Sequence, residues 1–205
     1  SLNGWSKSFP NAILILTSIT LVIAFIGVTK MNYNGTILDD LRPGNTIYDD
    51  IQFFETNLGG TLPIEIVIDS GKENAVLQPD FLSKVELFTD SISDSIADLN
   101  SPISIVNILK SFNYNGGKYS LHDNYEDNLS DVALIGSEDE SIVKQFLGYN
   151  ASKLRISSRL ENITFSRSSD IKDKINNIYR NIFTDAPDSS LLLTGGTFLA
   201  LKTNK

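Results

Sequence analysis

Few residues of this chain are equipped for chemistry. A single histidine, His122, stands beside Asp123, and the segment 123–140 carries seven carboxylates (Asp123, Glu126, Asp127, Asp131, Glu138, Asp139, Glu140) with no lysine or arginine between Lys118 and Lys144. A histidine among carboxylates could serve as a general base or help hold a divalent cation. The pattern here supports neither role. The acidic run lacks the spacing of a calcium loop, and the adjacent pairs Asp39-Asp40 and Asp49-Asp50 point apart on regular structure. There is no His-x-x-Glu-His, no phosphate-cradling Gly-x-x-x-x-Gly-Lys and no Gly-x-Ser-x-Gly. The chain has no cysteine, which rules out thiol catalysis, thiolate metal sites and disulfides. His122 reads as an exposed surface residue. We expect no enzymatic activity, no metal and no cofactor. Four Asn-x-Ser/Thr sequons (Asn34, Asn128, Asn150, Asn162) are expected by chance in so Asn- and Ser-rich a sequence.

The whole-chain averages conceal two unlike parts. The 205 residues have a formal charge of −8, which disfavours nucleic acid as a partner. The mean hydropathy of −0.05 is that of an ordinary soluble protein. Yet the 22 residues between Lys7 and Lys30 carry no charge, and all 25 acids lie from Asp39 onward. Roughly 20 helical residues at about 1.5 Å each cross a hydrocarbon core of ~30 Å. The stretch 12–28, AILILTSITLVIAFIGV, meets that length, with Trp5 before it and Tyr33 after it as interfacial aromatics. Its exit, Gly27-Val28-Thr29-Lys30, lacks the Ala-x-Ala pattern of a cleaved signal. The sequence thus predicts a lead-in over 1–9, a transmembrane helix over 10–30, and everything from 31 to 205 on one side of the bilayer.

Residues 31–61 read as a polar connector followed by a helix. Thr46-x-x-Asp49 resembles a capping box, Ile47, Ile51, Phe54 and Leu58 recur at helical spacing, and Gly59-Gly60 stops the run. Leu62–Asp69 (LPIEIVID) alternates like a strand, with Pro63 expected at its first residue. Pro79 opens a helix with an apolar stripe of Phe81, Leu82, Val85, Phe88, Ile92 and Ile96. Ile103–Leu109 reads as a second strand. An insert over about 111–150 includes a helix opened by Ser137-x-x-Glu140. Leu154–Phe165 reads as a third strand with Arg155 and Arg159 facing out. Ser168 then caps a helix carrying Ile171, Ile175, Ile178 and Ile182, and Ser190–Thr194 is the last strand before Gly195-Gly196. The expected fold class is α+β: a transmembrane helix, then a ferredoxin-like βαββαβ domain over 62–196, an antiparallel four-stranded sheet in the order 4-1-3-2 with helices on one face.

These residues resemble a known family. The membrane helix is followed by Asp39-Asp40-Leu41-Arg42-Pro43-Gly44-Asn45, then by Tyr48-x-Asp50-x-x-x-Phe54-Glu55-x-x-Leu58-Gly59-Gly60-Thr61-x-Pro63-Ile64-Glu65-Ile66-Val67-Ile68, and the end reads Leu192-Leu193-Thr194-Gly195-Gly196-Thr197. Over roughly residues 5–199 this is similar to an extracytoplasmic loop of the resistance-nodulation-division (RND) superfamily, in its predicted-exporter and MMPL-like branch. The LGGTLPIEIVID block looks most like the second large loop.

The resemblance implies a piece of a proton-driven exporter of the bacterial inner membrane. The membrane helix and periplasmic porter domain would supply part of a pathway for lipid-like or hydrophobic cargo. Proton-relay residues would lie in membrane helices outside this chain, and residues 197–205 would approach the next such helix. The partners implied are the bilayer, the rest of the transporter, the cargo and a second copy in a homo-oligomer. Gly59, Gly60, Pro63, Gly195 and Gly196 would be structural motif residues. Phe53, Phe54, Phe112, Tyr114 and Phe146 are the candidates to touch apolar cargo. The competing expectation is a singly anchored extracytoplasmic binding or sensor domain.

Overall fold

The structure is a computed structural model, which describes residues 10–30, 44–112, 114–115, 118–138, 140–196 and 198. It divides into two units, residues 1–34 and residues 35–205. The expected lead-in over 1–9 and most of the connector lie outside the described residues.

In the first unit, α1 (Pro10–Thr29) is a single helix of 20 residues. With a mean hydropathy of 2.5, it is long and apolar enough to cross a membrane. Its polar side chains bond within the helix: Thr17 Oγ1 donates to Ile13 O at 2.7 Å, and Thr20 Oγ1 to Leu16 O at 2.9 Å. Hydroxyls satisfied this way cost little in an apolar surrounding.

The second unit is mixed helix and sheet. α2 (Thr46–Leu58) is capped one residue earlier than expected: the side chain of Asn45, not Thr46, accepts from Ile47 N at 3.2 Å. β1 (Leu62–Asp69) is the centre of a three-stranded antiparallel sheet, flanked by β4 (Lys153–Leu160) and β5 (Ser190–Thr194). Register fixes the faces, because side chains alternate along a strand. Leu62, Ile64, Ile66 and Ile68 point inward with Leu154, Ile156 and Leu160, and all are buried. Glu65, Val67 and Asp69 point to the other face.

The inner face is covered by α3 (Pro79–Ser95) and α7 (Phe165–Ile182). The stripe read from α3 is the stripe it buries: Leu82, Val85, Phe88 and Ile92. From α7, Ile171 and Ile175 are buried, while Ile178 and Ile182 are half-buried at the margin. Phe88, Tyr179 and Phe183 close one end of this layer, with Tyr179 stacked on Phe183 at 4.8 Å and Phe88 edge-on to both.

The expected strand over 103–109 is instead a helix, α4 (Ile105–Phe112). Ser104 and Asn107 cap its first turn: Asn107 Oδ1 accepts from Ser104 N at 2.9 Å, and Ser104 Oγ accepts from Val106 N at 3.2 Å. That is a capping box with Asn at its third position. Ile105, Ile108 and Leu109 then recur at helical spacing, with Ile105 and Leu109 buried. Residues 99–103 still run along the outer edge of β4. Asn100 N donates to Arg159 O, and Ile103 and Ser157 exchange both backbone bonds. Pro102 between them has no N–H to continue a ladder. Among the described residues the sheet therefore has three strands, not four.

The insert holds a small hairpin, β2 (Tyr114–Asn115) with β3 (Lys118–Tyr119), then α5 (Tyr125–Glu138) and α6 (Glu140–Phe146). Ser137 starts no helix; it sits in the last turn of α5 and donates to Leu134 O at 2.7 Å. β4 ends at Leu160 rather than 165, and Thr164, not Ser168, caps α7 by accepting from Arg167 N at 3.3 Å. Ser168 is buried within that helix.

Candidate functional site

The candidate cargo residues are separated. Phe53 and Phe54 sit on α2, 60% and 47% exposed, their ring centroids 6.1 Å apart and edge-on. Phe54 shares a helix stripe with Ile47 and Leu58, all exposed, and no residue of α2 is buried. Phe146 is buried: it ends α6 in the main apolar cluster with Leu147, whose backbone bridges to Leu154 of β4. The side chains of Phe112 and Tyr114 lie outside the described residues.

The glycine motifs meet at the ends of the sheet. Gly59 ends α2 at φ +68°, and Gly60 follows at φ +110°. A Cβ on Gly60 would stand 2.2 Å from Leu160 O, and one on Gly195 (φ +121°) would stand 2.3 Å from Pro63 O. Both glycines are required by close backbone approach as well as by φ. Gly196 has open space around it. Pro63 is the second residue of β1, not the first, and costs no ladder bond there, because β5 pairs only from Glu65 onward.

Two polar arrangements stand out. At the α2–β1 junction, Glu55 Oε1 accepts from Thr61 N at 3.0 Å and from the Thr61 hydroxyl, and Oε2 accepts from Asn162 N at 3.0 Å. Beside it, Asn100 Nδ2 donates to Leu58 O at 3.1 Å.

The second is the open face of the sheet, where cations of β4 meet carboxylates of β1. Arg155 donates to both oxygens of Glu65, which also accepts from Ser157 Oγ at 3.1 Å. Lys153 lies 3.3 Å from Asp69. The Gly71 N–H bonded to Asp69 holds its carboxyl below the ordinary range, with Lys153 adding to that. Arg155 and Arg159 face out as expected. Leu192, 61% exposed, and half-buried Val67 form a small apolar patch beside them.

His122 is not the bare surface residue anticipated. It is half-buried, and its Nε2 lies 2.9 Å from Asp131 Oδ2, pinning the preceding loop to α5. Asn128, one turn away, is fully buried, and its Oδ1 has no hydrogen-bond partner among the described residues. Its sequon is therefore shielded. Among the described residues no three His, Asp or Glu side chains converge to hold a metal ion. An open hollow of about 310 Å³ is lined by Asp80, Ser83, Lys84, Leu87 and Asp185, with the Lys84–Asp185 pair at 2.6 Å across it.

Chemically, these arrangements hold segments of the fold in position. Each carboxylate on the open face already faces a cation, and Glu55 is saturated by donors. The chain matches no protein-family model, and no curated protein matches it.

Proposed function

We propose that the chain is a periplasmic porter piece of an RND-type inner-membrane exporter of lipid-like or hydrophobic cargo, with α1 as its membrane span. One observation supports the reading best. The sheet order β4-β1-β5, all antiparallel, corresponds to strands 3-1-4 of a split βαβ sheet. Residues 99–103 run where strand 2 would lie, bonded to the outer edge of β4. In this reading the domain is a ferredoxin-like fold whose second strand has shrunk to a bridged edge. The remaining helices of the transporter would supply proton coupling, and this domain would line part of the cargo route, with Phe53 and Phe54 of α2 as exposed apolar contacts.

The test is to read the gene past Lys205 and to assay the intact protein. Further apolar spans after this segment, together with cellular retention of hydrophobic compounds when the gene is deleted, are the expected results. A stop codon with no further span would instead leave a singly anchored binding or sensor domain. Protease digestion of spheroplasts provides the check on sidedness: the segment 44–196 should be cleaved from outside.

A further inference from the structure

α2 is joined to its domain in an unusual way. None of its residues is fully buried, and only Tyr48, Ile51 and Glu55 are half-buried, so apolar packing holds it weakly. Among the described residues, its polar ties to the rest of the domain lie in its last turn. Glu55 takes the backbone N–H groups of Thr61, at the start of β1, and of Asn162, just after β4. Asn100, on the outer edge of β4, holds Leu58 O. Beyond that turn comes Gly59, at a left-handed φ of +68°, and then Gly60, whose α-carbon lies against the Leu160 carbonyl. Gly60 is thus clamped to the sheet, and the last turn of the helix before it is tied down by the Glu55 carboxylate and the Asn100 amide.

We propose that Glu55 is a conformational latch: with its carboxylate bonded to Thr61 and Asn162, α2 and the sheet end move as one body, and with those bonds broken α2 pivots at Gly59. The physical basis is the sharing of one acceptor group by two residues from different strand ends. The two oxygens point to different segments, so one side chain closes a triangle between α2, β1 and the β4–α7 turn. Removing it takes away the acceptor that Thr61 and Asn162 share, which loosens the turn. The latch sets where the apolar stripe of Ile47, Phe54 and Leu58 points, whatever that stripe meets. The inference does not depend on the exporter reading.

The absence of cysteine allows a direct test in the full chain, held in lipid nanodiscs. Spin labels at Q52C on α2 and K172C on α7, both exposed positions, report the angle of the helix. With Glu55 in place the distance distribution should be narrow. E55A should broaden it at least two-fold, and E55Q, which keeps one acceptor oxygen, should fall between. An E55A distribution as narrow as that of the parent overturns the proposal. Hydrogen exchange of the unsubstituted protein guards against an E55A chain that does not fold. The Thr61 and Asn162 amides should be protected and should open together, and exchange of either at the rate of a free amide also overturns the latch.

Discussion

Arg155 grips Glu65 with both arms of its guanidinium, Nε to Oε2 at 2.5 Å and Nη2 to Oε1 at 2.6 Å, although the two residues are not register partners. Glu65 stands opposite Ser157 and Arg155 opposite Val67, so the grip is diagonal across the pair of strands. Arg has the planar, two-pronged shape that reaches a carboxylate along such a diagonal.

This diagonal grip is partly solvated, with the Arg155 side chain 40% exposed, so its worth is modest. A double-mutant cycle of E65A and R155A, followed by urea unfolding, should give a coupling of about 0.5–1 kcal/mol that shrinks as salt is added. R155K should recover less than half of it, because an ammonium cannot make the two-pronged contact.

Gly60 and Gly196 belong to similar double-glycine motifs but should answer oppositely to substitution. Ala at Gly60 meets the Leu160 carbonyl at 2.2 Å with φ at +110°, whereas Ala at Gly196 meets nothing within 4 Å. G60A should cost at least ~2 kcal/mol, through strain and steric overlap together. G196A should stay within about 0.5 kcal/mol of the parent. Thermal unfolding of the two variants side by side separates the roles.

Much of the core layer was legible in residue order. The alternation of Ile64, Ile66 and Ile68, and the stripe of Leu82, Val85, Phe88 and Ile92, appear in the structure as read, because burial on one face imposes a period. Ile103–Leu109 misled for a physical reason: a short apolar run has no period long enough to separate strand from helix, and Asn107 disguised the capping box that decides it. Only half of the Glu55 contact is local: Thr61 lies six positions on, but Asn162 lies 107 positions away. His122 and Asp131 were visible as residues, but only the fold of the insert brings them together. The exposed character of Phe53 and the buried one of Phe146 depend on which element covers each. Neither neighbour sequence states that.

The helical capping of residues 104–107 is itself open to measurement. Ala in place of Ser104 removes the acceptor for Val106 N and the hydroxyl that donates to Asn107 Oδ1. S104A should destabilise the domain by about 1 kcal/mol, and S104T should retain most of the stability. Were 103–109 a strand, the threonine variant would instead be neutral or stabilising and the alanine change nearly silent. Urea midpoints of the two variants therefore distinguish the helix from the strand.

Tyr179 provides a pH prediction whose sign follows from its surroundings. Its ring stacks on Phe183, and its hydroxyl lies 2.7 Å from Ser189 Oγ. Burial raises its pKa above the ordinary value of 10.0, the Ser189 bond opposes this in part, and Asp69 adds to the rise. A phenol whose pKa is higher folded than unfolded binds its proton more tightly in the native state. Its contribution is therefore fully present below the unfolded value near pH 10 and is lost as pH rises through the folded value. Stability should fall along an alkaline limb that starts near pH 10, and Y179F should flatten that limb. At neutral pH the same variant loses only the hydroxyl bond, a cost of about 1 kcal/mol. Urea unfolding of both proteins at neutral pH and along the alkaline limb checks the point. Equal alkaline slopes in the two would mean that the burial of Tyr179 does not control its ionisation.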